Sequence, residues 1–268
     1  MGTPVTSGTY FNVSAPTTAT AGASIYVTVT AEGPSGPLTG YTGTVHFTST
    51  DHGKLVALPG NYQFTGSSPT QTFTVTLVTA GNQTVTATDT SNSSITGTSN
   101  VVAVSAAATP ASLVFGQQPT NVRTGTNIAP AVTVDLLDKY GNVVTSDSSG
   151  TVTIALGANP GHATLGGTPS ASVFNGVATF GNLTVSAAGN GYTLIAKEGL
   201  LSPVTSSSFN VTKTRRLAGS GVRATNAVDQ VFSGPLPAIA AGPSNSPADN
   251  SDPEGIDPLL ADLYFVQA

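Results

Sequence analysis

The residues best suited to chemistry are few, and they are far apart. Three histidines stand at positions 46, 52 and 162. His46 alternates with Val45 and Phe47 and is expected to face solvent. His52 lies beside Asp51 in a loop, and His162 follows Asn159-Pro160-Gly161 in the other half of the chain. A zinc site needs three or four convergent ligands. Here at most two histidines come from one half, and there is no cysteine to complete a set. Asp51-His52 resembles a fragment of a proton relay, but no Gly-x-Ser-x-Gly elbow accompanies it, so it reads as a polar loop. A glycosidase needs two carboxylates facing one another across a cleft. Residues 9–212 carry Glu32, Asp51, Asp89, Asp135, Asp138, Asp147 and Glu198, scattered over strands and turns. Asp138, Asn142 and Asp147 could supply oxygens to calcium, yet Asp, Asn and Gly are also what turns need for backbone reasons. The sequence therefore points away from an enzyme, with no catalytic, cofactor-binding or metal residue to assign and no cofactor.

The elements that would carry these residues follow a pattern that occurs twice. The first copy reads Phe11-Asn12-Val13, Ala21-Gly22, Ile25-Tyr26-Val27-Thr28-Val29, Gly43-Thr44-Val45 and Ala80-Gly81-Asn82. The second reads Leu113-Val114-Phe115, Thr124-Gly125, Val132-Thr133-Val134, Gly150-Thr151-Val152 and Ala188-Gly189-Asn190. The offset is about one hundred residues, the size of one β-sandwich module. Strict alternation of apolar residues with Thr predicts strands with one buried face and one wet face. About seven strands are expected per module. Turn clusters separate them, and Asn175-Gly176 is the clearest hairpin signal, a type I′ turn. The predicted organisation is a module over 9–104, a short linker, a second module over 111–212, and a tail over 213–268. The linker, Ser105 to Pro110, spans at most about 20 Å when extended, so the modules should sit end to end with limited bending.

The tail differs in composition. It opens with Lys213, Arg215, Arg216 and Arg223, then carries only acidic charges, and its middle is rich in Pro, Gly, Ala, Ser and Asn. It is expected to be largely disordered. Its last dozen residues regain apolar character, and Leu259, Leu260, Leu263 and Phe265 are the candidate residues for docking on a partner. The whole chain has only eight Lys and Arg and a net charge of −5, which speaks against nucleic acid, since neutralising phosphates needs clustered Lys and Arg. No run of 18 apolar residues predicts a transmembrane helix. The start, Met1-Gly2-Thr3-Pro4-Val5-Thr6, lacks the features of a signal peptide; if the protein works outside a cell, the chain is expected to be a fragment or to have a truncated start. Tyrosines are dispersed, and Tyr26 and Tyr41 are the candidates for ligand contact because their neighbours suggest that they point outward.

The phrases Gly40-Tyr41-Thr42-Gly43-Thr44-Val45-His46-Phe47-Thr48-Ser49-Thr50-Asp51, Ala87-Thr88-Asp89, Gln118-Pro119-Thr120 and Asp138-Lys139-Tyr140-Gly141-Asn142-Val143-Val144 resemble those of bacterial immunoglobulin-like repeat domains of surface and secreted proteins, of the invasin/intimin and filamin-like type. The resemblance covers residues 9–212. It implies an all-β fold of two tandem immunoglobulin-like β-sandwiches in an extracellular or cell-surface setting, with a structural spacer or adhesin role and no common catalytic residue. The alternative is a module binding a glycan or cell-wall polymer. Partners would be a glycan, a cell-wall polymer or another surface protein, and the chain is expected to be an elongated monomer.

Overall fold

A computed structural model of the 268-residue chain describes residues 8–214. The expected tail and its candidates Leu259, Leu260, Leu263 and Phe265 lie outside the described residues. Every described element is a strand. The first half of the chain forms β1 (Tyr10–Ser14), β2 (Thr18–Thr20), β3 (Ser24–Gly33), β4 (Gly36–Pro37), β5 (Thr44–Ser49), β6 (Tyr62–Gln63), β7 (Thr70–Thr76), β8 (Gly81–Gln83), β9 (Val85–Asp89), β10 (Thr96–Thr98) and β11 (Val102–Ser105). The second half forms β12 (Ser112–Gln117), β13 (Val122–Arg123), β14 (Val132–Leu137), β15 (Thr151–Leu156), β16 (Leu165–Gly166), β17 (Ser170–Phe174), β18 (Val177–Phe180), β19 (Thr184–Val185), β20 (Gly189–Tyr192), β21 (Leu194–Lys197), β22 (Val204–Thr205) and β23 (Phe209–Thr212). The strands outnumber the expected seven per module because single apolar runs are cut in two. Residues 10–20 serve one sheet as β1 and then another as β2, and residues 96–105 divide likewise into β10 and β11.

Period-two patterning produces the cores. In β3, Ile25, Val27, Val29 and Ala31 point inward, and their neighbours form the wet face. Across the first sandwich they meet Phe47, Val75, Val85, Ala87 and Val102. The rings of Phe11, Tyr41, Phe64, Tyr62, Phe73 and Phe47 run edge-to-face or stacked through this core at 4.7–6.2 Å. Such pairs add about 0.5–1.5 kcal/mol each beyond area burial. The second core gathers Val132, Val134, Leu136, Val152, Ile154, Phe180, Leu183, Tyr192, Leu194 and Phe209. Tyr192 is fully buried, and its hydroxyl donates to the Ala187 carbonyl at 2.9 Å. Among the described residues no buried side-chain nitrogen or oxygen lacks a hydrogen-bond partner.

The sandwiches close differently. In the second, β17 pairs with both β18 and β15, so one seven-stranded sheet wraps from β12 round to β22. The Asn175-Gly176 turn makes this possible, with both residues at positive φ (49° and 78°), as the sequence predicts. In the first sandwich β6 holds the place of β17 beside β5 but does not pair with β7. Between β5 and β7 it has only β6 and a single bridge from Ala57 to Thr76. In both sandwiches an early strand lies parallel to the last one, β2 beside β11 and β13 beside β23. β1 crosses close over β10, and a Cβ built on Gly97 would lie 1.8 Å from the Phe11 carbonyl oxygen.

Candidate functional site

Two of the three buried carboxylates among the described residues, Asp51 and Asp138, lie at the joint between the sandwiches. The turn after β14 is built around Asp138, which is 2% exposed. Its Oδ1 accepts from the backbone N–H of Tyr140 (2.8 Å) and of Asn142 (2.9 Å). Its Oδ2 accepts from Asn142 Nδ2 (2.9 Å) and from the N–H of Ala107 in the linker (2.8 Å). Gly141, at φ 91°, allows the chain to reverse. One carboxylate thus fixes both its own turn and the entry of the linker.

Asn142 carries the clasp into the first sandwich. Its Nδ2 donates to the Val78 carbonyl at 2.8 Å, and its Oδ1 accepts from the Ala80 N–H at 2.8 Å. The receiving loop is held by a second buried carboxylate, Asp51. Asp51 Oδ1 accepts from Gly53 N–H (2.9 Å) and Thr79 Oγ1 (2.6 Å), and Oδ2 from Val78 N–H (2.6 Å) and Thr79 N–H (2.9 Å). Tyr140 packs against the first core. It lies so close to Gly22 that a Cβ there would sit 1.7 Å from its hydroxyl. Gly22 also needs its φ of 80°. Lys139 Nζ lies 4.9 Å over the Tyr140 ring. Lys54, Leu55 and Val78 from one side, with Lys139 and Tyr140 from the other, line a groove of about 460 Å³.

Burial alone would raise the carboxyls of Asp51 and Asp138. Hydrogen bonds outweigh it, from Thr79, Gly53 and Val78 to the first and from Asn142, Ala107 and Tyr140 to the second, and hold both below their ordinary value of 3.8. A depressed carboxyl stabilises the fold fully above its unfolded pKa, and that contribution is lost as pH falls through the folded value. Asp135 has the opposite sign, since burial raises it. We expect the melting temperature to hold from pH 7 to about 5 and to drop below about 4. Asp51→Asn or Asp138→Asn should flatten that drop in a calorimetric pH series. An unchanged slope in both variants would show that other groups control acid unfolding.

Asp138 is engaged by its own turn and by the linker through four hydrogen bonds. Asp147 instead accepts from the N–H and hydroxyl of Ser149. Among the described residues no three His, Asp or Glu gather into a metal-holding group. Asp51 of the Asp51-His52 pair is a loop brace. His46 is exposed and bonds Asn61 Oδ1 at 2.8 Å.

The candidate tyrosines part company. Tyr26 is 70% exposed, on the outer face of β3. Tyr41 is a correction: it is 3% exposed and points inward. It precedes β5 in a loop, where alternation with its neighbours carries no facing information. There it packs edge-on against Phe11 and Phe64, and its hydroxyl donates to Asp89 Oδ2. Burial, with the hydrogen bond and charge of Asp89, pushes the Tyr41 phenol well above its ordinary value. Sequence reasoning missed both the joint and Tyr10, which is 49% exposed on β1. The alternation Tyr10, Phe11, Asn12, Val13 held the signal for Tyr10.

No protein-family model matches the chain, and no curated protein matches it by sequence. Solved structures similar to it include the D0-D1 domain of intimin, at 16% identity over 75% of this chain and 97% of that one, TM-score 0.30. A β-glycosidase from Bacteroides vulgatus is similar at 15% identity over 77% of this chain and 25% of that one, TM-score 0.34. The Escherichia coli adhesin FdeC is similar at 20% identity over 75% of this chain and 64% of that one, TM-score 0.34. This chain therefore spans about a quarter of the glycosidase and just under two thirds of that adhesin. The architecture itself, read from strand order and burial, is all-β: two tandem immunoglobulin-like β-sandwiches.

Proposed function

We propose that residues 9–212 are a non-enzymatic structural spacer or adhesin segment of a bacterial cell-surface or secreted protein. The observation that carries this reading is the joint. Buried carboxylates brace both sides of it, Asn142 spans it with two hydrogen bonds, and Tyr140 is packed beneath Gly22. A joint of this kind turns two small domains into one stiff element, and stiffness is what a spacer supplies. Domains in one chain otherwise move relative to each other by default. Among the described residues no helix is long and apolar enough to cross a membrane.

The test uses the absence of native cysteine. Spin labels on cysteines placed at the exposed positions Thr48 and Thr153 report the distance between sandwiches by pulsed electron paramagnetic resonance. A single narrow distribution is expected, and it should broaden in the double variant Tyr140→Ala, Asn142→Ala while both sandwiches stay folded. A broad distribution in the parent chain would remove the basis for the spacer reading.

A further inference from the structure

The outer face of the sheet formed by β1, β3 and β7 carries a feature that stiffness does not explain. Its outward residues are Tyr10, Asn12 and Ser14 on β1, the even-numbered residues from Ser24 to Glu32 on β3, and Thr70, Thr72, Thr74 and Thr76 on β7. Glu32 is the only charged side chain among them. Tyr10 stands opposite Glu32, six residues along β3 from Tyr26. At about 3.3 Å per residue the two rings are about 20 Å apart, the span of a short oligosaccharide. Between and beside them the hydroxyls form rungs: Thr28 to Thr72 at 3.0 Å, Thr30 to Thr70 at 3.0 Å and Ser24 to Thr76 at 3.4 Å. Each rung uses one hydroxyl hydrogen and leaves the second free, together with spare lone pairs. The rungs also fix the side chains in advance, so little rotamer freedom remains to be lost on binding.

We propose that this face binds an extended chain of neutral sugar rings, with Tyr10 and Tyr26 as stacking platforms at its two ends. The chemistry selects this class of partner. An ionic polymer would find no array of opposite charges here. A protein partner would want a contiguous apolar patch, whereas here the two apolar rings are separated by hydroxyls and an amide. An uncharged polysaccharide offers apolar ring faces to the tyrosines and hydroxyls to the rungs. The opposite sheet supplies an internal contrast. It has similar rungs, Thr86 to Thr98 and Thr88 to Thr96, both 2.9 Å, and its outward residues on β5 are Thr44, His46 and Thr48, with no tyrosine, phenylalanine or tryptophan among them. The tyrosines, not the hydroxyls alone, distinguish the binding face. This inference stands apart from the spacer reading, because none of its residues lies in the joint.

The full chain should be tested by depletion from suspensions of microcrystalline cellulose and of chitin, with affinity electrophoresis in polygalacturonate as the anionic arm. The expected result is retention on a neutral polymer, weakened about five- to tenfold by Tyr10→Ala or Tyr26→Ala and abolished by the pair. Phe174→Ala, at a position 72% exposed on the other sandwich, should change nothing, and melting curves of all variants should coincide. The proposal is overturned if the parent binds neither neutral polymer or prefers polygalacturonate. It is equally overturned if the double variant binds as well as the parent, or if Phe174→Ala loses as much as the tyrosine variants.

Discussion

Asp138→Ala is expected to destabilise the second sandwich by about 3 kcal/mol or more and to uncouple it from the first. Hydrogen bonds to a charged acceptor contribute about 1.5–3 kcal/mol each, and donors left without a partner in a buried place carry their full desolvation cost. Four donors lose their acceptor at once: the N–H groups of Ala107, Tyr140 and Asn142, and Asn142 Nδ2. The effect should spread, since the same Asn142 amide bonds Val78 and Ala80 across the joint. Urea unfolding followed by amide resonances of each sandwich separates the two consequences. A loss below about 1 kcal/mol, within the range of ordinary surface changes or a single neutral bond, would mean that the turn holds its shape without the carboxylate. Asn142→Ala provides the gentler comparison: it should spare the turn and loosen the joint.

Gly97→Ala should be as damaging to the first sandwich. The added methyl would lie 1.8 Å from the Phe11 carbonyl oxygen and 2.7 Å from its carbon. A side-chain neighbour could rotate away, but main chain cannot. β1 would have to lift from β10, taking Phe11 out of its stack with Phe64 and its edge contact with Tyr41. Overpacking of this kind costs about 1–3 kcal/mol and more when the backbone must move, so a loss of at least about 3 kcal/mol is expected. Gly60→Ala is the control, with nothing within 4 Å of the new methyl. A Gly97→Ala chain that melts with the Gly60→Ala chain would show that the two strands separate freely.

Alternation made the strands legible. Ile25 to Val29, Phe73 to Leu77 and Val132 to Leu136 each place apolar residues two apart, and burial follows that period. Asn175-Gly176 was legible as a turn because few residue pairs accept two positive φ angles. The facing of Tyr41 was not, because period two has no meaning in a loop; its direction is set by Asp89, 48 residues away. The joint was half legible. Asp138 and Asn142 announced a turn, but Val78 and Ala80 lie 64 and 62 residues from Asn142. Nothing local to either segment signals that pairing. The same residue types fit a calcium loop and a turn alike, and the structure shows Asp138 and Asn142 bonded within a turn.

The parallel pairing of β2 with β11, and of β13 with β23, has a mechanical consequence. Tension applied along the chain pulls an early strand and the last strand of each sandwich in opposite directions along a shared axis. Their hydrogen bonds are then loaded together in shear. Strands joined as a hairpin and pulled from the open end would instead release one bond at a time. Resistance to forced extension is governed by the unfolding barrier rather than by equilibrium stability. Sandwiches with modest hydrophobic cores can therefore withstand a pull that their equilibrium free energy of folding would not foretell.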